Sequence, residues 1–225
     1  MTEPSLAGEL RDGAVALGVV LTDAQLQQLL DYLDLLQKWN RVYNLTAVRD
    51  PAQMLRQHLL DSLAVVRPLQ QMLLRRGLPI AARVLDVGSG GGLPGVVLAI
   101  ACPQLQVTCV DAVAKKSAFV RQVAAGLALR NLEALHARVE TLPGGFDLVC
   151  ARAFAALPDF VRWTLPLLAP GGCWMAMKGQ HPVDEIAALP ATARVFHVEQ
   201  LTVPGLDAQR CIVWVESVTA DPAHE

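Results

Sequence analysis

The residues best suited to chemistry are glycines that follow a short apolar run. Val84–Val87 leads into Gly88, Gly90 and Gly92, and Asp86 stands two residues before the first glycine. Glycine lets a chain turn tightly and lets its backbone approach a ligand closely. The spacing D-x-G-x-G-x-G therefore predicts a ligand-binding loop at the end of a strand.

The acid at Asp86 separates two classes of ligand. In a dinucleotide site the glycine loop faces a pyrophosphate, where a carboxylate so close to the first glycine would be poorly placed. S-adenosylmethionine has no phosphate, and its sulfonium and ammonium groups are stabilised by a nearby carboxylate. We therefore assign Asp86, Gly88, Gly90 and Gly92 to an S-adenosylmethionine site. The alternative for Asp86 is a buried aspartate that caps a turn.

Two further positions indicate a nucleoside ligand. Asp111 ends the second apolar run, 23 residues after Gly88, and an acid at about this spacing accepts hydrogen bonds from ribose hydroxyls. The alternative is an N-cap for the helix that follows. After the third run, Val139 and Glu140 are expected beside the adenine, and a surface salt bridge is the alternative for Glu140.

The ends of the fourth and fifth runs are expected to face the substrate. The Asp/Asn-Pro-Pro-aromatic motif of adenine-N6 enzymes is absent, and Cys150 lacks the neighbouring proline of pyrimidine-C5 enzymes. We interpret Cys150 as a buried thiol. Arg152 is suited to a phosphate or to the cofactor carboxylate, and Lys178 to a phosphate or a base.

The elements that position these residues alternate between strands and helices, which favours an α/β fold with a parallel sheet covered by helices. Strands are predicted at Arg83–Val87, Gln106–Val110, Leu132–His136, Asp147–Ala151 and Cys173–Met177. The last two apolar runs, Arg194–Val203 and Arg210–Val218, have no helix between them and predict an antiparallel hairpin. This arrangement is typical of Class I (Rossmann-like) S-adenosylmethionine-dependent methyltransferases.

A helical part precedes the sheet. We expect residues 1–77 to form a helical N-terminal subdomain and residues 78–225 the methyltransferase domain, with residues 1–12 loosely attached. Two capping signals predict helix starts: Thr22 with Gln25, and Asp50 with Pro51.

Composition limits the class of protein. Hydrophobic residues make up 53% of the 225 residues and charged residues 18%, which is a globular composition. We expect no transmembrane helix and no secretory signal. Five scattered cysteines and no metal-ligand spacing favour a cytoplasmic protein without disulfides or a metal.

Charge is unevenly distributed although the net charge is only −2. Residues 1–37 carry six acids and one base, whereas residues 38–76 carry seven bases and two acids. A local basic segment attracts phosphate even in a slightly acidic chain. The helical part is therefore a possible RNA-facing segment, and the alternative is a solvated helix surface.

Several stretches in order resemble the RsmG (GidB) family. They are Trp39-Asn40, Tyr43–Thr46, Arg56–Leu63, the glycine loop with Leu93-Pro94-Gly95, Lys115-Lys116, Arg138–Glu140, Arg152-Ala153 and Lys178-Gly179. The resemblance implies methyl transfer from S-adenosylmethionine to N7 of a guanine, guanine 527 in the 530 loop of bacterial 16S rRNA. It implies that Gly88 and Leu93 line the cofactor, that Val139 and Glu140 meet its adenine, and that Arg152 completes the site. The family usually has Glu where Asp111 stands, so the carboxylate expected at the ribose is one methylene shorter here.

The chemistry of that reaction needs little from the protein. Guanine N7 carries a lone pair and no proton, so direct in-line attack on the sulfonium methyl requires alignment and desolvation rather than a general base. We hypothesise that Asn44, His58, Arg152 and Lys178 surround the target guanosine. The alternative for His58 is a histidine with a structural role between helices.

Three other functions stay open from the residues alone. A small-molecule methyltransferase would make the basic segment incidental, and a nicotinamide-dependent oxidoreductase is disfavoured by Asp86 and the antiparallel end. A non-catalytic protein of the same fold would bind cofactor without turnover. If the protein is the rRNA methyltransferase that the resemblance implies, we expect 16S rRNA or the small ribosomal subunit as its partner, and a monomeric protein.

Overall fold

The computed structural model describes residues 5–218 and contains one twisted sheet of seven strands within that range. The strand order is β3-β2-β1-β4-β5-β7-β6; β1 to β5 are parallel and β7 runs antiparallel to both of its neighbours. The strands are β1 (Arg83–Val87), β2 (Gln106–Asp111), β3 (Leu132–His136), β4 (Phe146–Arg152), β5 (Leu168–Lys178), β6 (Ala193–Leu201) and β7 (Arg210–Ser217).

The predicted α/β architecture is confirmed, including the antiparallel C-terminal hairpin. The bounds of β1 and β3 coincide with the prediction, whereas β5 begins earlier, at Leu168. Its pairing with β4 includes a register shift between Phe146 and Leu148. Such an irregularity lets the turn residues before Cys173 join the strand, which apolar patterning alone does not indicate.

Helices cover both faces of the sheet, and several precede it. They are α1 (Leu6–Ala16), α2 (Asp23–Tyr43), α3 (Pro51–Met54), α4 (Asp61–Leu63), α5 (Val66–Arg75), α6 (Gly95–Ala101), α7 (Ala114–Gly126), α8 (Leu157–Thr164) and α9 (Val183–Ala187). Both predicted caps are confirmed: Thr22 and Gln25 form a capping box, and Asp50 caps a helix with Pro51 in its first turn. One apolar cluster joins the helical part to the sheet, because it includes Leu33 as well as Val84.

The expectation that residues 1–12 are loosely attached is wrong for the residues that the structure describes. Ser5 caps α1, and Leu10 is fully buried. A Cβ atom at Gly13 would lie 2.6 Å from the Leu60 side chain, so glycine permits the close approach of α1 to the helix beneath it. Residues 1–4 and 219–225 lie outside the described range.

Between α3 and α4 the chain forms a π-helical turn, Leu55–Leu60, which the sequence did not predict. This wider turn contains His58, and turns of this kind are frequent at functional sites. Within residues 5–218, no helix is long and apolar enough to cross a membrane.

Candidate active site

The glycine loop turns from β1 into α6 at the carboxyl edge of the sheet, where α/β folds bind their ligands. Gly88, Gly90 and Gly92 have φ angles of +64°, +58° and +89°. A Cβ atom at Gly88 would lie 2.3 Å from the Phe154 ring, so a side chain at this position would force the ring or the loop to shift. Gly92 is closed by packing instead, since a Cβ atom there would lie 2.4 Å from Val96.

The loop uses its own amide groups internally. The N–H groups of Gly88 and Ser89 donate to the Val110 carbonyl, that of Gly90 donates to the Asp111 carboxylate, and those of Gly92 and Leu93 donate to the Ser89 carbonyl. A pyrophosphate site needs such N–H groups to point at the ligand. The loop is thus shaped for close backbone approach rather than for phosphate binding.

Asp86 lies behind the loop. Its side chain is fully buried, accepts a 2.8 Å hydrogen bond from the Gly95 N–H, and lines neither of the cavities described below. Burial raises the pKa of its carboxyl to about 7. This geometry matches the alternative assignment, a buried aspartate that fixes the start of α6, and the structure does not bring Asp86 to the ligand space.

The first cavity, here called the β2–β3 cavity, has a volume of about 390 Å³ and opens beyond those strands. Asp111 lines it, and its two carboxylate oxygens accept hydrogen bonds from Gly90 (3.0 Å) and Val113 (2.8 Å). Val139 and Glu140 lie on a short 3₁₀ turn along its wall. The cavity therefore brings together the residues assigned to the nucleoside.

The second cavity, here called the β4–β5 cavity, has a volume of about 490 Å³. It shares Gly88 and Ala153 with the β2–β3 cavity, so the two spaces adjoin at the glycine loop. Leu93, His58, Arg152 and Lys178 are among its lining residues. Gly90 lines it too, whereas Gly92 lines neither space.

A buried carboxylate organises the cationic wall of the β4–β5 cavity. Asp61 has a side-chain exposure of only 2%, and it accepts hydrogen bonds from Arg152 (2.9 Å) on one oxygen and from Arg210 (2.8 Å) on the other. Arg152 also donates to the Gln57 carbonyl. Because one carboxylate faces two guanidinium groups, this wall keeps a net positive charge.

Lys178 extends that wall from the end of β5. Its ammonium group donates to Glu185 at 2.7 Å and to the Ala155 carbonyl at 3.2 Å. Glu185 also accepts a hydrogen bond from the N–H of Leu157, at the start of α8. The salt bridge therefore fixes both the lysine and the loop after β4.

His58 enters the β4–β5 cavity from the helical part. Its Nε2 lies 2.8 Å from the Thr46 hydroxyl, and the buried Nδ1 has no hydrogen-bond partner among residues 5–218. Burial, and then the positive charge of Arg152, lower the pKa of His58 to about 4. The imidazole is therefore neutral at physiological pH and offers one free polar nitrogen in a buried position.

Two residues from the sequence analysis lie apart from the cavities. Asn44 is exposed, has a left-handed backbone after α2, and contacts Arg49 rather than the β4–β5 cavity. Cys150 is fully buried in β4, where burial raises the pKa of its thiol. Within residues 5–218, no cluster of three or more histidine, cysteine or acidic side chains is arranged to hold a metal.

Three contributors to the site had no assigned role in the sequence: Tyr32, Asp61 and Arg210. The Tyr32 hydroxyl is buried and donates a 2.6 Å hydrogen bond to the Gly91 carbonyl, so α2 holds the glycine loop from outside the sheet. A signal existed for Asp61, which interrupts the apolar stretch Leu59–Leu63 and therefore requires a buried partner. Arg210 carries no such signal.

Comparison with known proteins adds to this geometry. The family described as rRNA small subunit methyltransferase G, GidB, matches residues 25–213. A protein of that name from Acidovorax ebreus is 63% identical over 222 residues, covering 97% of this chain and 98% of that protein. Another, from Polaromonas naphthalenivorans, is 58% identical over 218 residues, covering 97% and 99%.

Solved structures show the same fold at low sequence identity. TrmN from Thermus thermophilus has a TM-score of 0.54 and 21% identity, covering 73% of this chain and 53% of that one. A SAM-dependent methyltransferase from Aquifex aeolicus has a TM-score of 0.52 and 18% identity, covering 74% and 97%. The predicted Class I fold is confirmed, and with the family match over most of its length the chain belongs to the rRNA small subunit methyltransferase G family.

Proposed function

We propose that this chain transfers a methyl group from S-adenosylmethionine to N7 of a guanine in bacterial 16S rRNA, guanine 527 of the 530 loop by resemblance. The observation that carries the proposal is the junction of two cavities at Gly88 and Ala153. One cavity has the residues suited to a nucleoside, and the other has a cationic wall suited to a nucleotide. We expect the protein to act in the cytoplasm as a monomer.

The residues of the β2–β3 cavity fit the adenosine part of the cofactor. Asp111 would bind the ribose, and Val139 with Glu140 would contact the adenine, while glycine at position 88 lets the loop pack closely against Phe154 on the wall of the same cavity. Because five N–H groups of the loop, those of Gly88, Ser89, Gly90, Gly92 and Leu93, are already hydrogen-bonded within the protein, a nicotinamide dinucleotide fits this loop poorly. Bound S-adenosylmethionine supplies a methyl group activated by a sulfonium.

The β4–β5 cavity fits the target nucleotide. Arg152 and Lys178 would bind phosphate or the base edge, since guanidinium and ammonium groups form strong charge-assisted hydrogen bonds. Neutral His58 would line the space for the base without adding a charge. No general base is required, because guanine N7 has a lone pair and no proton. These side chains align the base and exclude water.

The deciding experiment measures methyl transfer from labelled S-adenosylmethionine to small ribosomal subunits that lack the modification, with mass spectrometry to map the product. We expect one 7-methylguanosine in the 530 loop. Arg152→Ala, Lys178→Ala and His58→Ala should each reduce the rate, whereas Arg130→Ala, an exposed change just before β3, should not. No incorporation by a protein that binds the cofactor would contradict the proposal, and transfer to a small molecule alone would favour the alternative methyltransferase.

A further inference from the structure

We propose that a third cavity, at the end of α2, binds a phosphodiester group of the RNA strand outside the target nucleotide. This inference rests on the proposed RNA substrate and adds a second contact point to it. The cavity has a volume of about 290 Å³ and is lined by Gln37, Asn40, Arg41, Arg49, Pro51 and Met54. We call it the α2 cavity.

Two arginines give the α2 cavity its chemistry. Arg41 and Arg49 are both exposed, and neither forms an ion pair with any acid among residues 5–218. Arg49 only donates a 3.4 Å hydrogen bond to the Asn44 side-chain oxygen. The acid next to Arg49 in sequence, Asp50, accepts a hydrogen bond from the Gln53 N–H as a helix cap. Both guanidinium groups are therefore available to an anion.

The floor of the cavity is fixed rather than adaptable. Met54 is fully buried, and Asn40 is 5% exposed with both ends of its amide in use. Asn40 donates to the Val48 carbonyl (3.1 Å) and accepts from the Thr46 N–H (2.9 Å). A preorganised wall lowers the entropic cost of binding. The two arginines thus stand over a rigid base.

The same hydrogen bonds link this cavity to the active site. Thr46, which Asn40 holds, lines the β4–β5 cavity and contacts His58 at 2.8 Å. The segment of residues 44–50 therefore has the active-site cavity on one side and the α2 cavity on the other. An RNA strand whose base enters the β4–β5 cavity would cross this segment, and a neighbouring phosphodiester would reach Arg41 and Arg49.

The chemistry favours a phosphodiester over a carboxylate-bearing protein partner. Guanidinium groups bind phosphate oxygens in a bidentate manner, and the β4–β5 cavity next to it already has a cationic wall suited to nucleotide. Each phosphate neutralised along a single strand contributes about −0.7 to the slope of log affinity against log salt concentration. One phosphodiester at this site therefore predicts a measurable change in that slope.

The test compares two double variants that remove equal charge. Arg41→Gln with Arg49→Gln empties the α2 cavity of cations. Arg75→Gln with Arg130→Gln removes two exposed arginines, one at the end of α5 and one just before β3. Binding of a 530-loop RNA hairpin is measured from low to moderate salt. Methylation kinetics with small ribosomal subunits, cofactor affinity and melting temperature are measured for the same proteins.

We expect the first double variant to bind RNA on the order of tenfold more weakly at low salt and to lose about 0.7 of its salt slope. Its cofactor affinity and its kcat at saturating RNA should equal those of the parent protein. Equal salt slopes for the two double variants would overturn the inference. A first double variant that loses cofactor affinity as strongly as RNA affinity would also overturn it. A parent protein that methylates no small ribosomal subunits would instead contradict the proposed function.

If the first double variant melts early, Arg41→Lys with Arg49→Lys replaces it. Lysine keeps the charge and loses the planar fork. We then expect the salt slope of the parent protein and a weaker affinity for the hairpin. A lysine variant whose salt slope falls as if the charge had been removed would overturn the inference, because lysine still neutralises a phosphate.

Discussion

The two adjoining cavities are built in different ways. The β2–β3 cavity is assembled at consecutive strand ends: among its lining residues, Asp111 ends β2 and Glu140 lies four residues after β3. The β4–β5 cavity depends on contacts across the chain: Asp61 of the helical part is 91 residues from Arg152 and 149 from Arg210. One cavity is local in sequence, and the other exists only when the helical part has docked.

That difference predicts separate sensitivities. Changes in the glycine loop should affect cofactor binding first, because the loop borders both cavities. Changes in the Asp61 cluster should affect stability and RNA methylation together, because a buried carboxylate there joins two parts of the fold. Variants that break one cavity and spare the other would establish that the two are independent.

The largest effect is expected for Asp61→Asn. This change leaves Arg152 and Arg210 facing each other without the carboxylate that both now contact. Breaking a buried ion pair by removing one partner costs about 3–5 kcal/mol. We expect a loss of roughly 3 kcal/mol in the free energy of unfolding, measured by urea denaturation, and a loss of methylation that exceeds the loss of cofactor affinity.

Asp159→Asn is the matched control. It removes an aspartate from an ion pair with Arg162 that is exposed on both sides, where such pairs contribute less than about 1 kcal/mol. Equal effects of the two substitutions would show that the Asp61 cluster is no more important than a surface pair. The comparison of the two cavities would then lose its energetic basis.

Gly88→Ala should have the next largest effect, on the cofactor. The added methyl group would lie 2.3 Å from Phe154, so the ring or the loop must shift where Gly88 borders the two cavities. We expect cofactor affinity to fall by more than about tenfold, equivalent to about 1.4 kcal/mol, as measured by calorimetry.

Gly77→Ala separates crowding from backbone strain. Gly77 has nearly the same φ angle, +62°, and an added methyl group would meet no side chain or distant backbone atom of residues 5–218 within 4 Å. The substitution should therefore lower stability by about 1–2 kcal/mol from the left-handed backbone alone and leave cofactor affinity unchanged. A similar loss of affinity in both variants would place the cause in the backbone and not in the cavity.

Part of the lining of the β2–β3 cavity was predicted from the local pattern of the chain. Glycine spacing and strand ends identified Gly88, Asp111, Val139 and Glu140 because residues near in the chain follow one strand-turn-helix pattern. Asp86 was assigned to the ligand because spacing gives distance along the chain and not the direction of a side chain. The structure turns this carboxylate toward Gly95.

The β4–β5 cavity was predicted only in part, for a related reason. Arg152 and Lys178 were found because they end strands, whereas Arg210 begins β7 and reaches Asp61 only through the antiparallel return of the chain. Asn44 was expected there by pattern, but the left-handed end of α2 directs it to Arg49. The π-helical turn around His58 has no sequence signature either. Pairings over such separations are set by tertiary packing.

Tyr32→Phe is expected to have a moderate effect on cofactor binding, because Tyr32 connects the helical part to the glycine loop. The change deletes the hydroxyl that holds the Gly91 carbonyl from α2, and a hydrogen bond of this kind contributes about 0.5–1.5 kcal/mol. We expect cofactor affinity to fall about fivefold, with a small loss of melting temperature. Tyr43→Phe, at a 40% exposed position, should change neither quantity, and equal effects from both would exclude a positioning role for Tyr32.

The smallest effect is expected for a change of pH, and a methylation rate that does not depend on pH is itself informative. The pKa of His58 is lowered from 6.5 to about 4, so the imidazole in the folded protein stays neutral where a free histidine would take up a proton. Since the unfolded chain is protonated first, this residue makes folding less favourable as the pH falls from 6.5 toward 4.

Methylation, however, should remain level from about pH 9 to about pH 5.5 on account of His58, because neither its charge nor a proton on guanine N7 changes in that range. The contrary result is a methylation rate that falls with a midpoint near the ordinary histidine pKa of about 6.5 in the parent protein and does not fall in His58→Gln. That result would mean that His58 is solvated in the working enzyme. The β4–β5 cavity would then be open to water in a way that its buried Asp61 cluster argues against.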